Sequence, residues 1–177
     1  YVLNRLLPNF IRIKECREVA DDFNARYDAI SKTYLYVIER KVENPLLIEV
    51  CWHPIFDFDI ETFRNVSKLY VGNHCFDFFG SEEEKDGKIL SIEDVWVEEK
   101  GNYVLWRVKG RSFLRYQVRF MVGTAYEIAA GRTSIAEITS RLDGTNKTTV
   151  HHKAPASGLI LEKVEYDFER SENLAKE

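Results

Sequence analysis

The sequence predicts an α+β fold, a mainly antiparallel sheet with two or three helices packed on one face. Residues 33–41, TYLYVIERK, are rich in the β-branched and aromatic residues that favour strands. Residues 89–98 and 102–109 flank a Lys-Gly-Asn turn, which predicts an antiparallel hairpin. After residues 110–112 the spacing of the apolar residues becomes helical. Strands and helices therefore alternate within one domain.

Composition restricts the classes of function. The 177 residues can bury a sizeable core, and their apolar content of 45% and aromatic content of 13% are typical of a globular protein. The formal net charge is −4, so any nucleic-acid site must be local. Cys16, Cys51 and Cys75 are widely spaced, which predicts a reducing, cytoplasmic setting without disulfides or a zinc site. No apolar run approaches the length of a membrane span.

The first part of the chain is predicted to be short elements joined by a loop. Residues 1–7 are typical of a helix end that Pro8 stops. The alternation in residues 10–15 predicts a strand, and residues 20–26 predict a loop. The strand at 33–41 has apolar residues on both faces, so we expect it to be central and covered.

Residues 59–71 predict an amphipathic helix with Asp59 as its cap and Gly72 as its end. Its apolar stripe consists of Ile60, Phe63, Val66, Leu69 and Tyr70. His74 and Cys75 are adjacent but lack further ligands nearby, which argues against a metal site. Residues 81–88 predict an acidic, mobile loop.

The second half predicts two helices and a final strand. The longer helix follows the hairpin and ends at Gly131, with an apolar stripe of Leu114, Val118, Met121, Val122, Ala125 and Ala129. A short helix at 134–142, a polar loop at 143–153 and a strand at 158–167 follow, and residues 170–177 are a charged tail.

Basic residues recur along this second half. Their positions predict a ribbon of positive charge, formed by Arg107, Lys109, Arg111, Arg115 and Arg119. For the strand residues, a solvated charged face is an equally open interpretation. Arg119 is flanked by Val118 and Phe120, so it requires an anionic partner, either a carboxylate or a phosphate.

Residues 113–123, FLRYQVRFMVG, resemble the signature helix of the TruA family of tRNA pseudouridine synthases. Four other blocks match the family in order, LNRLLP at 3–8, FNARYDAISKTYLYVI at 23–38, GNHCFDFF at 72–79 and APASGLILEKVEYD at 154–167. Ordered blocks over nearly the whole chain are far more specific than one motif. Cys75 stands where the family usually has an aspartate.

The resemblance implies a pseudouridine synthase fold and an activity, the isomerisation of uridine to pseudouridine in the anticodon stem-loop of tRNA. It also implies a cytoplasmic homodimer that binds tRNA and needs neither metal nor organic cofactor. Residues 1–26 would be the end of an N-terminal domain and the crossover, 27–170 the C-terminal catalytic-fold domain, and 171–177 a tail. The alternative is a non-catalytic module of the same fold that binds RNA or forms a dimer.

Site residues follow from the family's motifs. Tyr34 corresponds to the tyrosine that stacks on the target base, and Leu159 would form an apolar wall of the base pocket. Arg119 would be the ion-pair partner of the family's nucleophilic aspartate, which it keeps ionised. Arg111 and Arg115 are further substrate-binding candidates. We expect Tyr34 and Arg119 to face one pocket.

The family's R-T-D-A-G-V-H segment, which carries that aspartate, does not occur in this sequence. The only methionine is Met121, so we expect the chain to be the C-terminal portion of a longer protein and to be inactive alone. Residues 141–143, Arg-Leu-Asp, resemble the nucleophile motif of other pseudouridine synthase families, but Asp143 follows a predicted helix and is interpreted as a loop residue. His151 and His152 are interpreted as solvated.

Overall fold

The computed structural model describes residues 2–41, 45–81, 87, 89–150 and 152–168. The chain divides into two compact units, one of residues 29–165 and one of residues 1–28 with 166–177. The sheet, three of the helices and the core belong to the first unit. The domain limits that the family resemblance implies stay a prediction.

The sheet has five strands. In chain order they are β1 (Ala29–Glu39), β2 (Gly72–Cys75), β3 (Ile89–Lys100), β4 (Tyr103–Gly110) and β5 (Leu159–Tyr166). Their order across the sheet is β2-β3-β4-β1-β5, and the pairs β2–β3, β3–β4 and β4–β1 are antiparallel. The predicted hairpin is therefore confirmed, with Gly101 in the left-handed region at its turn (φ +59°). The prediction that β1 is an internal strand is also confirmed.

Four α-helices accompany the sheet in the described part of the chain. They are α1 (Leu3–Leu6), α2 (Ile60–Lys68), α3 (Gln117–Ala129) and α4 (Ala136–Leu142). The cap of α2 is as predicted, because the Asp59 carboxylate accepts a hydrogen bond from the Thr62 amide at 2.7 Å. Gly131 follows α3 with a left-handed φ of +71°, which suits glycine. None of the described helices is long and apolar enough to cross a membrane.

One face of the sheet forms the core with α2 and α3. Along β4, Val104, Trp106 and Val108 are buried while the residues between them are only half-buried. The Trp106 indole donates to Ser67 Oγ on α2 at 2.8 Å, and that hydroxyl donates to the Phe63 carbonyl at 2.7 Å. Apolar side chains from sheet and helices thus share one interior, which confirms the predicted α+β class.

Two local predictions fail, and one element was missed. Residues 10–15 form no strand; Phe10 is 87% exposed, and the Asn4 side chain makes both hydrogen bonds of the Ile13 backbone, each 2.8 Å long. Helix α3 begins only at Gln117, so Leu114 and Arg115 precede it. The short strand β2 was not predicted. The predicted acidic loop falls mostly outside the described residues.

The second compact unit has its own contacts. The rings of Phe23, Tyr166 and Phe168 pack together with centroid distances of 5.4 to 6.0 Å. The Tyr166 hydroxyl donates to the Ala25 carbonyl at 2.8 Å, and the Arg17 guanidinium lies 4.4 Å from the Phe168 ring centroid. Residues 20–26 are a loop, as predicted.

Candidate functional site

Residues 150 and 152–158, which we call the strap, run across α3. The Val150 amide donates to the Phe78 carbonyl at 2.9 Å, and the Ala154 amide donates to the Arg119 carbonyl at 3.1 Å. At Gly123 a Cβ atom would lie 2.0 Å from the His152 carbonyl oxygen, so only glycine permits this approach. The strap is therefore fixed to the helix backbone.

Two side chains from different elements hold consecutive carbonyls of the strap. Arg119 Nε donates to the Ala154 carbonyl at 2.7 Å, and the Tyr36 hydroxyl donates to the Pro155 carbonyl at 2.7 Å. Burial raises the pKa of Tyr36 strongly, although the nearby Arg119 charge opposes the shift. Tyr36 thus remains a neutral donor, as expected for a core tyrosine with a satisfied hydroxyl.

Tyr34 lies on the same side of the sheet as Arg119. It shares a face of β1 with Tyr36, because side chains alternate along a strand. Its ring meets Phe113 edge to face at a centroid distance of 5.2 Å, and burial raises the pKa of its phenol. Strand β1 and helix α3 therefore bring the predicted base-stacking residue and the predicted aspartate partner to one side. That the two residues share a pocket stays a prediction.

Leu159 lies beside β1 at the start of β5. The Val37 amide donates to the Gly158 carbonyl at 2.8 Å, and a Cβ on Gly158 would lie 2.6 Å from the Val37 carbonyl oxygen. Leu159 itself is partly buried against the core. The close packing at Gly158 fixes the position from which the Leu159 side chain projects.

The predicted ribbon of positive charge is divided between the two faces of the sheet. Arg107 and Lys109 alternate with the buried residues of β4, so they lie on the opposite face from Tyr34. Arg107 pairs with Glu98 at 3.1 Å and with Glu162 at 2.9 Å. Lys109 pairs with Glu165 at 2.9 Å and Glu93 at 3.4 Å, beside an open groove of about 380 Å³. Carboxylates therefore neutralise both strand cations.

The remaining basic residues lie near the start of α3. Arg111 follows β4 and is exposed, and it has no ion pair with any described residue. Arg115 and Arg119 both contact the ring of Tyr116, with guanidinium carbons 4.9 and 5.5 Å from its centroid. A third cation joins them, since Lys153 Nζ lies 4.5 Å from the same centroid. The sequence predictions included neither Lys153 nor Tyr116.

The Arg-Leu-Asp stretch at residues 141–143 has structural hydrogen-bond partners. Asp143 is exposed after α4, and its carboxylate accepts hydrogen bonds from the Thr145 amide and hydroxyl at 2.9 and 2.7 Å. These bonds lower the pKa of Asp143. Its neighbour Arg141 is buried and donates to the Thr148 and Glu137 carbonyls at 2.9 and 2.8 Å. The Arg-Leu-Asp resemblance therefore falls on a helix-terminating turn.

Three of the four histidines lie in the described part of the chain, and His53 Nδ1 lies 3.1 Å from the buried Glu39 carboxylate. His74 Nε2 lies 3.2 Å from the Val71 carbonyl, and His152 Nδ1 lies 3.9 Å from Glu127. His151 lies outside the described residues. No group of three or more His, Cys, Asp or Glu side chains suited to a metal ion occurs among residues that the structure describes.

Comparison with known proteins agrees with the family resemblance. The family model for tRNA pseudouridine synthase matches residues 66–167. The chain is 31% identical to tRNA pseudouridine synthase A of Thermoanaerobacter sp. strain X514 over 168 residues, which are 94% of this chain and 69% of that protein. It is 34% identical to the protein of the same name from Aquifex aeolicus over 163 residues, covering 92% and 67% of the two chains. It thus spans about two thirds of the length of these relatives.

Proposed function

The chain belongs to the tRNA pseudouridine synthase family. On this basis we propose that it forms the uridine-binding part of an active site that modifies uridines in the anticodon stem-loop of tRNA. The reaction breaks the C1′–N1 bond of a uridine, rotates the base and rejoins it to the ribose through C5. Because a paired base is inaccessible, the target must first leave its stack. Its base would then stack on Tyr34, with Leu159 as the apolar wall.

The proposal depends chiefly on the position of Arg119. Its Nε is fixed by the Ala154 carbonyl, and among the described residues no carboxylate pairs with its guanidinium. The two terminal nitrogens can therefore donate a bidentate pair of hydrogen bonds to a carboxylate. A guanidinium in this position keeps an aspartate ionised and aligned, which a nucleophilic carboxylate requires.

The family's R-T-D-A-G-V-H segment, which carries the aspartate, is absent from this sequence, and the Asp143 carboxylate is engaged in a turn. We propose that a segment carrying that motif, outside these 177 residues, supplies the nucleophile and that the chain alone does not isomerise uridine. The exposed Arg111 and Arg115 would contact the RNA.

The family resemblance further supports a cytoplasmic homodimer across which the tRNA lies, working without metal or organic cofactor. Light scattering of the purified protein tests the dimer directly. A mass of one chain would contradict it.

The deciding experiment measures pseudouridine formation on an unmodified tRNA transcript. The chain is assayed alone and after addition of a segment from a relative that carries the R-T-D-A-G-V-H motif. We expect activity only in the second case. Arg119→Lys should then lower kcat on the order of 100-fold, because a point charge cannot align the carboxylate.

Asp143→Asn is the matched control and should leave the rate unchanged. Activity of the chain alone, lost in Asp143→Asn, would show that the nucleophile is misassigned. Binding of tRNA without turnover in either case would favour the non-catalytic module.

A further inference from the structure

Gly110 is the residue of β4 that lies diagonally across from Tyr34. Val108 is directly opposite Tyr34 in the pairing of β4 with β1, and Gly110 is two residues further along β4. Because side chains alternate along a strand, Val108 and Gly110 belong to the same face of the sheet as the Tyr34 ring. A side chain at position 110 would therefore be a close neighbour of that ring, and glycine leaves the space to another residue.

The ring of Phe113 reaches this space. A Cβ atom on Gly110 would lie 3.2 Å from Phe113 Cζ, and also 2.9 Å from the Ser91 carbonyl oxygen. The Phe113 ring meets the Tyr34 ring with 5.2 Å between centroids and an angle of 85° between their planes. Perpendicular contacts of this kind are favourable, because the positive edge of one ring faces the negative face of the other. Glycine at position 110 thus makes room for an aromatic contact with Tyr34.

The backbone that follows Phe113 is held by Gln117. This residue is fully buried; its Oε1 accepts a hydrogen bond from the Leu114 amide at 2.8 Å, and its own amide donates to the Leu114 carbonyl at 3.1 Å. Tyr116, just before it, has a left-handed φ of +69°, which is unfavourable for a residue with a Cβ. The connection between β4 and α3 therefore has a specified conformation, which defines the position of Phe113.

The contact with Phe113 restricts the orientation of the Tyr34 ring. The torsion about the Cβ–Cγ bond of a tyrosine has broad minima, so a ring without neighbours turns over a wide range. A second ring held perpendicular to it narrows that range. Since a stacked base lies parallel to the ring that supports it, the plane of Tyr34 would also set the plane of the base.

We propose that Phe113 is a positioning residue for the target uridine and that it acts through Tyr34, whose ring it holds in the plane on which the uracil stacks. The inference rests on the proposed function, which supplies the stacking role of Tyr34. Phe113 itself need not touch the base. Loss of the Phe113 ring should therefore weaken RNA binding only while the Tyr34 ring is present.

A double-mutant cycle on RNA affinity tests this dependence, because residues that act through one another have non-additive effects. The probe is an unmodified anticodon stem-loop transcript, and its binding to the full chain needs no turnover. Tyr34→Leu should weaken binding on the order of 10-fold, because the stacking of one base is lost. Phe113→Leu should weaken it about fivefold, as expected for the loss of one aromatic pair.

The two backgrounds at position 34 give opposite expectations. In Tyr34→Leu, the further change Phe113→Leu should have no effect on affinity. In Tyr34→Phe, which keeps the ring, Phe113→Leu should have its full effect. Phe113→Met retains more of the side-chain volume without a ring and should show the same dependence, so the test does not rely on one substitution.

Phe58→Leu is the matched control. Phe58 is buried, and its ring contacts the rings of Phe63 and Tyr126 at centroid distances of 5.2 and 5.6 Å. The same substitution therefore removes aromatic packing from another part of the core. It should lower the melting temperature at least as much as Phe113→Leu does, but it should leave RNA affinity unchanged.

Equal losses of affinity from Phe113→Leu with and without the Tyr34 ring would overturn the positioning role, as would equal effects of Phe113→Leu and Phe58→Leu. Unchanged affinity in Phe113→Leu, alongside weaker binding in Tyr34→Leu, would overturn it while leaving the proposed function intact. Wild-type affinity in Tyr34→Leu, or a chain that does not bind the transcript, would overturn the proposed function and the inference together.

Discussion

Tyr34 and Tyr36 are chemically identical residues with different tasks. Both point to the helix-covered face of β1, but only Tyr36 is fully buried and donates its hydroxyl to the strap. The Tyr34 ring is half-buried, and no protein acceptor for its hydroxyl occurs among the described residues. The hydroxyl of Tyr36 therefore has a structural role, whereas the proposed function uses only the ring of Tyr34.

Removing each hydroxyl tests this difference. Tyr36→Phe should lower the free energy of unfolding by about 1 kcal/mol, because a buried hydrogen bond to the Pro155 carbonyl is lost. Tyr34→Phe should change it little and should preserve turnover, since the ring remains for stacking. Urea denaturation of both variants measures the effect. Equal losses of stability would contradict the assignment.

The contact between strap and α3 depends on the absence of one side chain. Gly123 lies where the strap crosses the helix, and the same crossing brings Ala154 to both the backbone and the side chain of Arg119. The helix therefore positions the strap, and the strap fixes the Arg119 guanidinium. A substitution at Gly123 that displaces the strap would therefore also displace the Arg119 guanidinium of the proposed active site.

Gly123→Ala should destabilise the fold by about 3 kcal/mol or more, because its Cβ would overlap strap backbone that has little room to move. Gly80→Ala is the control. There a Cβ would lie 2.9 Å from Leu114 Cδ1 and 3.1 Å from Leu114 Cβ, which are side-chain and not backbone atoms. Thermal unfolding should show a clearly smaller loss for Gly80→Ala, and the reverse order would refute the proposed role of the crossing.

Local sequence patterns correctly predicted those elements that are determined by residues close together in the sequence. The hairpin around Gly101 and the Asp59 cap depend on neighbouring residues, and both are confirmed. Residues 10–15 alternate like a strand but lack a sheet partner, since the Asn4 side chain occupies the Ile13 backbone. The start of α3 was misplaced because the left-handed turn at Tyr116 leaves no trace in apolar spacing.

The site was predictable only in part. Family motifs predicted Tyr34, Arg119 and Leu159 as site residues, and the structure brings the first two to one side of the sheet. The contact of Lys153 with Tyr116 joins residues from distant parts of the sequence, so no pattern in either segment could reveal it. The neutralisation of Arg107 and Lys109 likewise depends on carboxylates of β3 and β5, which are distant from β4 or outside its local pattern.

Charge is distributed unevenly over the molecule as a whole. The face of the sheet opposite α2 and α3 carries a network of acidic and basic side chains. In it, Glu165 contacts Lys109, Lys163 and Ser31. Hydrogen bonds from Lys163, Ser31 and Lys109 lower the pKa of Glu165 to about 2. A carboxyl whose pKa is lowered by folding stabilises the protein above its unfolded pKa. That contribution disappears as the pH falls through the folded pKa.

Stability should therefore fall as the pH drops from about 4.5 towards 2, and Glu165→Gln should make this fall shallower. The free energy of unfolding, measured by urea at a series of pH values, checks the prediction. Glu49→Gln is the control, because Glu49 is exposed and has no ion pair with the described residues. An identical pH dependence in wild type and Glu165→Gln would contradict it.

The position of β1 in the sheet has a consequence for the folding of the chain during translation. β1 is translated before the other four described strands, but its neighbours β4 and β5 come from residues 103–110 and 159–166. The β3–β4 hairpin can form as soon as it is made, whereas β1 must wait for partners that are distant in sequence, and such non-local pairing is slow. A nascent chain stalled before residue 103 therefore holds an apolar strand whose β4 edge is unpaired, a ready template for aggregation.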